Sequence, residues 1–204
     1  MKKIIKRSVL ALFALVIGLI IFLVPSSIQP SETLKNVEAT TSLASMVESG
    51  IQNAALGNNG LNTELTIDNK QFNQLLKSFV SESQNQTMLE SAYSLEGDKL
   101  RLQLPVTILG VDSKLDLRFY IAYDNNTLRF DIASARLVNL PVPKSIVASM
   151  LQEKLKTQSS NLAVEQQTIL FALPESQFKI TGLTVQNNTA KVKLTMSVTG
   201  LLGQ

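Results

Sequence analysis

Residues 98–140 constrain the fold more than any other stretch. Leu100, Leu102, Leu104, Val106 and Ile108 take alternate positions of one segment. Leu115, Leu117, Phe119 and Ile121 do so in the next, and Leu128, Phe130 and Ile132 in a third. In the middle segment Lys114, Asp116, Arg118 and Tyr120 fill the intervening positions. A period of two sends successive side chains to opposite faces of a strand, so each segment reads as a strand with one buried and one solvated face. The pattern predicts strands over 88–97, 98–110, 111–124 and 127–140, with Asn125-Asn126 as a tight turn. Strands of ten or more residues exceed the usual ~5–6, and a meander built from them twists and curls.

Around this meander the pattern changes period. Leu43, Val47, Ile51 and Ala55 recur every fourth residue, which predicts an amphipathic helix over 37–56 stopped by Gly57-Asn58-Asn59-Gly60. Leu61, Thr63, Leu65 and Ile67 alternate as a short strand. Asp68 is placed to cap a helix reaching about Ser83, with Phe72, Leu75, Leu76 and Phe79 along one face. Leu140-Pro141-Val142-Pro143 ends the meander. A helix over 143–157 follows, its apolar side formed by Ile146, Val147, Met150, Leu151 and Leu155. A strand at 168–173 and a last hairpin, 178–186 with 189–201 around Asn187-Asn188, complete the chain. The sum is an α+β domain in which a long, curved antiparallel sheet packs on amphipathic helices.

Residues 8–24, SVLALFALVIGLIIFLV, carry no charge, and Lys2, Lys3, Lys6 and Arg7 precede them. A run of this length and composition fits a transmembrane helix whose basic flank stays in the cytoplasm. A cleavable signal peptide would have a shorter apolar core and end in small residues, whereas Val24-Pro25-Ser26-Ser27 follows here. The division is then a cytoplasmic basic segment (1–7), an anchor (8–24), a linker (25–36) and an extracellular domain (37–204). Four of the 19 Lys and Arg precede the anchor, which leaves 15 against 16 Asp and Glu outside. That near-neutral balance argues against nucleic acid as a partner and against a polybasic lipid-binding patch. The chain has no Cys, which excludes lipoprotein anchoring and disulfides and fits a Gram-positive surface protein.

Motifs that carry chemistry are scarce. There is no His, the commonest general base and metal ligand, and no phosphate-binding glycine loop. Ser176-Gln177-Phe178-Lys179 has the S-x-x-K spacing of serine acyl enzymes, but at a strand start and without partner motifs it reads as chance. Asp112, Asp116 and Asp124 read as a solvated face balanced by Lys114 and Arg118. The sequons beginning at Asn85, Asn125 and Asn187 matter only in a eukaryotic secretory pathway. No enzyme activity, cofactor or metal is expected.

The segment order resembles the YpmS-like family of Gram-positive membrane-anchored proteins. The likeness rests on the basic start and membrane run, Ile67-Asp68-Asn69-Lys70-Gln71-Phe72 and Ala135-Arg136-Leu137-Val138-Asn139-Leu140-Pro141-Val142-Pro143. It also takes in Thr168-Ile169-Leu170-Phe171-Ala172-Leu173, and it spans about residues 61–198. The resemblance implies an extracytoplasmic domain similar in outline to tubular lipid-binding domains, and it brings no catalytic residues.

On that basis the expected function is binding of a lipid or lipid-linked molecule in an apolar groove, for transfer or presentation at the cell envelope. The helices would line it with Phe72, Leu76, Phe79, Val147, Met150 and Leu151. The sheet would add Leu117, Phe119, Ile121, Phe130 and Ile132, and Leu140, Pro141 and Pro143 would form its rim. The alternative is a domain with a filled core that scaffolds envelope machinery through its outer face.

Overall fold

The computed structural model describes residues 28–38, 45–46, 54–57, 60–83, 86–108, 110–155, 162–173 and 178–196. Two 3-10 turns, Pro30–Glu32 and Leu34–Asn36, come first. Then follow β1 (Ala55–Gly57), β2 (Gly60–Ile67), α1 (Asn69–Ser83), α2 (Gln86–Leu89), β3 (Ala92–Glu96), β4 (Lys99–Ile108), β5 (Val111–Asp124) and β6 (Thr127–Leu137). The chain continues with β7 (Leu140–Pro141), α3 (Lys144–Leu155), β8 (Leu162–Glu165), β9 (Thr168–Ala172), β10 (Phe178–Gln186) and β11 (Thr189–Met196).

The α+β expectation is overturned: the described residues are mostly β, 57% strand, with few helices. Nor does one curved sheet wrap a helix in tubular fashion. The described residues form two antiparallel sheets, one in the order β3-β4-β5-β6-β9-β8 with β7 beside β6, the other β1-β2-β11-β10. No helix among the described residues is long and apolar enough to cross a membrane. The helix expected over 8–24 lies outside the described residues. Of the helix expected over 37–56, residues 45–46 are helical, 39–44 and 47–53 lie outside the described residues, and Ala55–Gly57 is a strand. The Gly57–Gly60 stop signal instead closes a hairpin, in which Gly57 pairs with Gly60. Gly and Asn serve both kinds of turn, and only the partner strand decides between them.

The large sheet has one continuous apolar face, because register keeps the alternate residues of neighbouring strands opposite each other. Leu100 pairs with Phe119 and Leu102 with Leu117 across β4–β5; Leu117 pairs with Ala135 and Ile121 with Phe130 across β5–β6. A bulge in β6 between Ile132 and Ser134 lets Ile132 and Ala135 both turn inward despite their odd spacing.

Three layers cover this face. The small sheet brings Leu65, Ile67, Val185, Ala190 and Leu194 onto Leu95 and Leu100, with Phe72 and Leu75 of α1 alongside and Ile121 and Phe130 at the margin. Helix α3 brings Val147 and Ala148 onto Leu117, Phe119, Ile132 and Ala135. The N-terminal segment and α1 bring Leu34 and Val80 onto Tyr93.

Helix α1 starts where Asp68 accepts a hydrogen bond from the Gln71 backbone (2.8 Å) while the Gln71 side chain accepts one from the Asp68 N–H (3.1 Å). That reciprocal pair is a capping box. The same helix shields the free edge of β3. Asn69 donates to the Leu95 carbonyl (3.0 Å) and accepts from the Leu95 N–H, and Asn73 donates to the Tyr93 carbonyl (3.0 Å). Leu34 N–H donates to Ser91 O (2.9 Å), so side-chain amides and the N-terminal segment replace a neighbouring strand.

Candidate functional site

The residues expected to line one groove are distributed over all three layers. Leu117, Phe119, Ile132 and Val147 pack against one another, each 3% exposed or less, with Leu151 and Phe130 beside them. Phe119 and Phe130 meet edge to face, centroids 6.5 Å apart. Ile121 lies under the small sheet, Leu76 with Leu34 and Val80, and Phe72 between those two clusters. The side chain of Phe79 lies outside the described residues. Helices α1 and α3 therefore cover different parts of the sheet.

Met150 faces outward. It is 51% exposed, as are Ile146 (52%) and Leu140 (40%), and the rim prolines Pro141 and Pro143 are exposed beside them. The apolar residues of α3 split into two sides: Val147 and Leu151, four apart, turn inward, while Ile146 and Met150, also four apart, turn out. The signal was present in the sequence, since apolar residues at 146, 147, 150 and 151 span more of a helix than one core stripe needs. Leading into α3, β6 ends in a corner where Val138 takes φ 58°, costly for a β-branched residue. Its N–H donates to Lys114 O (3.0 Å), and β7 then turns back, pairing Leu140 with Leu137 and Pro141 with Arg136.

This corner stands at the end of the large sheet where the chain enters. Ile28, Pro30, Thr33, Lys35 and Asn36 form one wall of a cleft of about 570 Å³; Pro105, Val106, Thr107, Asp112 and Ser113 of the β4–β5 hairpin form another. Ser113 Oγ is buried in that wall without a hydrogen-bond partner. At the opposite end a second cleft, about 590 Å³, is lined by Tyr123–Asn126 and by Lys179, Ile180 and Thr181. Apart from the clefts, the Asn188 side chain accepts from Gly97 N–H (2.6 Å) and the Asn188 N–H donates to Gly97 O (3.1 Å), which clasps a turn of each sheet to the other.

The face of the large sheet away from the core carries a charge network. Arg101 donates through Nε to Asp116 Oδ2 (2.9 Å) and through Nη1 to Glu96 (2.8 Å); Arg118 reaches Glu96 at 3.4 Å. Asp116, then Glu96, raises the Arg101 pKa and holds it cationic. Lys99 bonds Asp98, which raises the lysine and lowers the carboxyl, and lies 4.7 Å from the centre of the Tyr120 ring. Burial pushes the Tyr93 hydroxyl up to about 12, against a smaller opposing effect of its hydrogen bond with Ser91. Among the described residues no group of three or more acidic side chains is placed to hold a metal ion. Of the S-x-x-K residues, Ser176 and Gln177 lie outside the described residues and Lys179 is exposed on β10.

No family model matches the chain, and neither a curated protein nor a solved structure is similar to it.

Proposed function

We propose that the protein is a non-catalytic interaction module, tethered to the membrane by residues 8–24 and working on the extracytoplasmic side through its outer surface. The observation that supports this reading is the closed packing of Leu117, Phe119, Ile132 and Val147 where a ligand groove was expected. Close packing of these four side chains leaves no groove between them for an acyl chain, which favours an outer working surface over an interior carrier. The four cations before the apolar run favour a cytoplasmic N-terminus.

The test is native mass spectrometry with lipid extraction on the full chain in mild detergent, beside affinity capture from solubilised membranes. A stoichiometric protein partner, with no lipid surviving exchange into fresh detergent, is the expected result. A stoichiometric lipid that survives exchange and is lost in Val147→Asp, in protein shown to be folded, would overturn the reading in favour of an interior carrier.

A further inference from the structure

We infer that the exposed corner formed by Leu140, Ile146 and Met150 docks on the surface of the bilayer that holds the anchor, which fixes how the domain stands on the membrane. This rests on the tethered reading above and adds an orientation to it.

The geometry comes from the path of the chain. Ile28 comes four positions after Val24, the last of the apolar run, and an extended chain gains at most ~3.6 Å per position, so Ile28 stands within roughly 14 Å of the end of that run. Ile28 lines the cleft across from Pro105, Val106 and Ser113, so this end of β4 and β5 is brought to the membrane boundary. Thr33 and Leu34 then fasten the entering segment to β3, which keeps the end from swinging away.

The apolar corner lies at the same end. Lys114, next to Ser113, accepts the Val138 N–H, and β7 lies beside β6 at Leu137. Leu140 is thus two strand spacings from β5, roughly 10 Å across the sheet. From there α3 carries Ile146 and Met150 on its outer side. Arg136, opposite Pro141, and Lys144, the first residue of α3, are exposed and flank the apolar residues. Exposed apolar side chains with two cations beside them suit the boundary between acyl chains and headgroups, where single apolar contacts are too weak to hold a free protein but add to a tether already present.

Because the chain has no Cys, single labels are specific. Full-length Met150→Cys and Asp124→Cys, the latter at the opposite end of β5, would carry a small fluorophore in vesicles of phosphatidylcholine and phosphatidylglycerol. Flotation with the vesicles after an alkaline wash reports the anchor separately from the docking. The expected result is that a doxyl-labelled lipid quenches the label at 150 several-fold more than that at 124, that iodide does the reverse, and that Ile146→Glu in the Met150→Cys background removes the difference. Floating protein whose two labels respond alike would overturn the docking while leaving the tether standing. Shielding from iodide without lipid quenching would also overturn it, and would mean that a second copy covers the corner. Protein that fails to float would overturn the tethered reading itself.

Discussion

Truncating Phe119 to alanine separates a filled core from a hollow one. Phe119 is 3% exposed and touches Phe130 edge to face. Leu117, Ile132, Ala135 and Val147 complete its cluster. Phe→Ala at a packed site costs about 3–5 kcal/mol, from lost transfer energy and the cavity left behind. Of that, the ring pair accounts for roughly 0.5–1.5 kcal/mol. In a domain of this size 1 kcal/mol moves Tm by roughly 2–4 °C, so the fall should be on the order of 10 °C. The assay is urea denaturation of the full chain in mild detergent followed by far-ultraviolet circular dichroism; the midpoint should drop at constant slope. Phe119→Leu, which keeps most of the volume, should lose roughly 1–2 kcal/mol and serves if the alanine variant does not fold. A loss below about 1 kcal/mol for Phe119→Ala would refute the reasoning, because a ring facing open space has few contacts to forfeit.

Other outcomes follow from side chains at the edges of the sheet and on its exposed corner. Asn69→Ala leaves the Leu95 N–H and carbonyl without their partners and should cost about 1–3 kcal/mol, with faster hydrogen exchange at the Leu95 amide; unchanged exchange would mean the edge is held otherwise. Tyr93 should make stability fall at high pH. Its folded pKa of about 12 lies above the unfolded value near 10, so its contribution is intact below pH 10 and lost as pH rises through 12, by roughly 1.4 kcal/mol per unit. Tyr93→Phe should flatten the alkaline limb of a stability–pH curve relative to the parent, and an equally steep limb would count against burial as the cause. Ile146→Lys and Met150→Lys should leave the denaturation midpoint within about 0.5 kcal/mol, since both are half exposed; a large loss would mean that they pack inward.

Local pattern reaches some of this fold and stops where partners are distant. The hairpin of β5 and β6 around Asn125-Asn126, the Asp68 cap and the last hairpin around Asn187-Asn188 are readable because each depends on residues within a few positions of one another. The Asn residues of both turns have positive φ, which Asn tolerates. The second sheet was not readable: β2 pairs with β11, and nothing near either strand announces the other. Without that pairing the chain looks like one curled sheet needing helices to cover it. Residues 88–91 were expected to be strand, but Met88 and Leu89 belong to the short helix α2, which packs on Leu34 instead of extending β3. Groove and core could not be told apart either, since Phe119 facing a ligand and Phe119 facing Phe130 have the same spacing.

The pairing of β2 with β11 also sets an order of events during synthesis. Ile67 waits for Ala190 and Leu61 for Met196, so one flank of β2 stays open until almost the whole chain has emerged. Contacts this remote in sequence form late and slowly, because the loop must close before any contact is gained. Until then the buried side of β2, with Leu65 and Ile67, is exposed. Chains that stall before β10 should therefore be sticky intermediates, prone to pair with one another and to depend on cellular quality control.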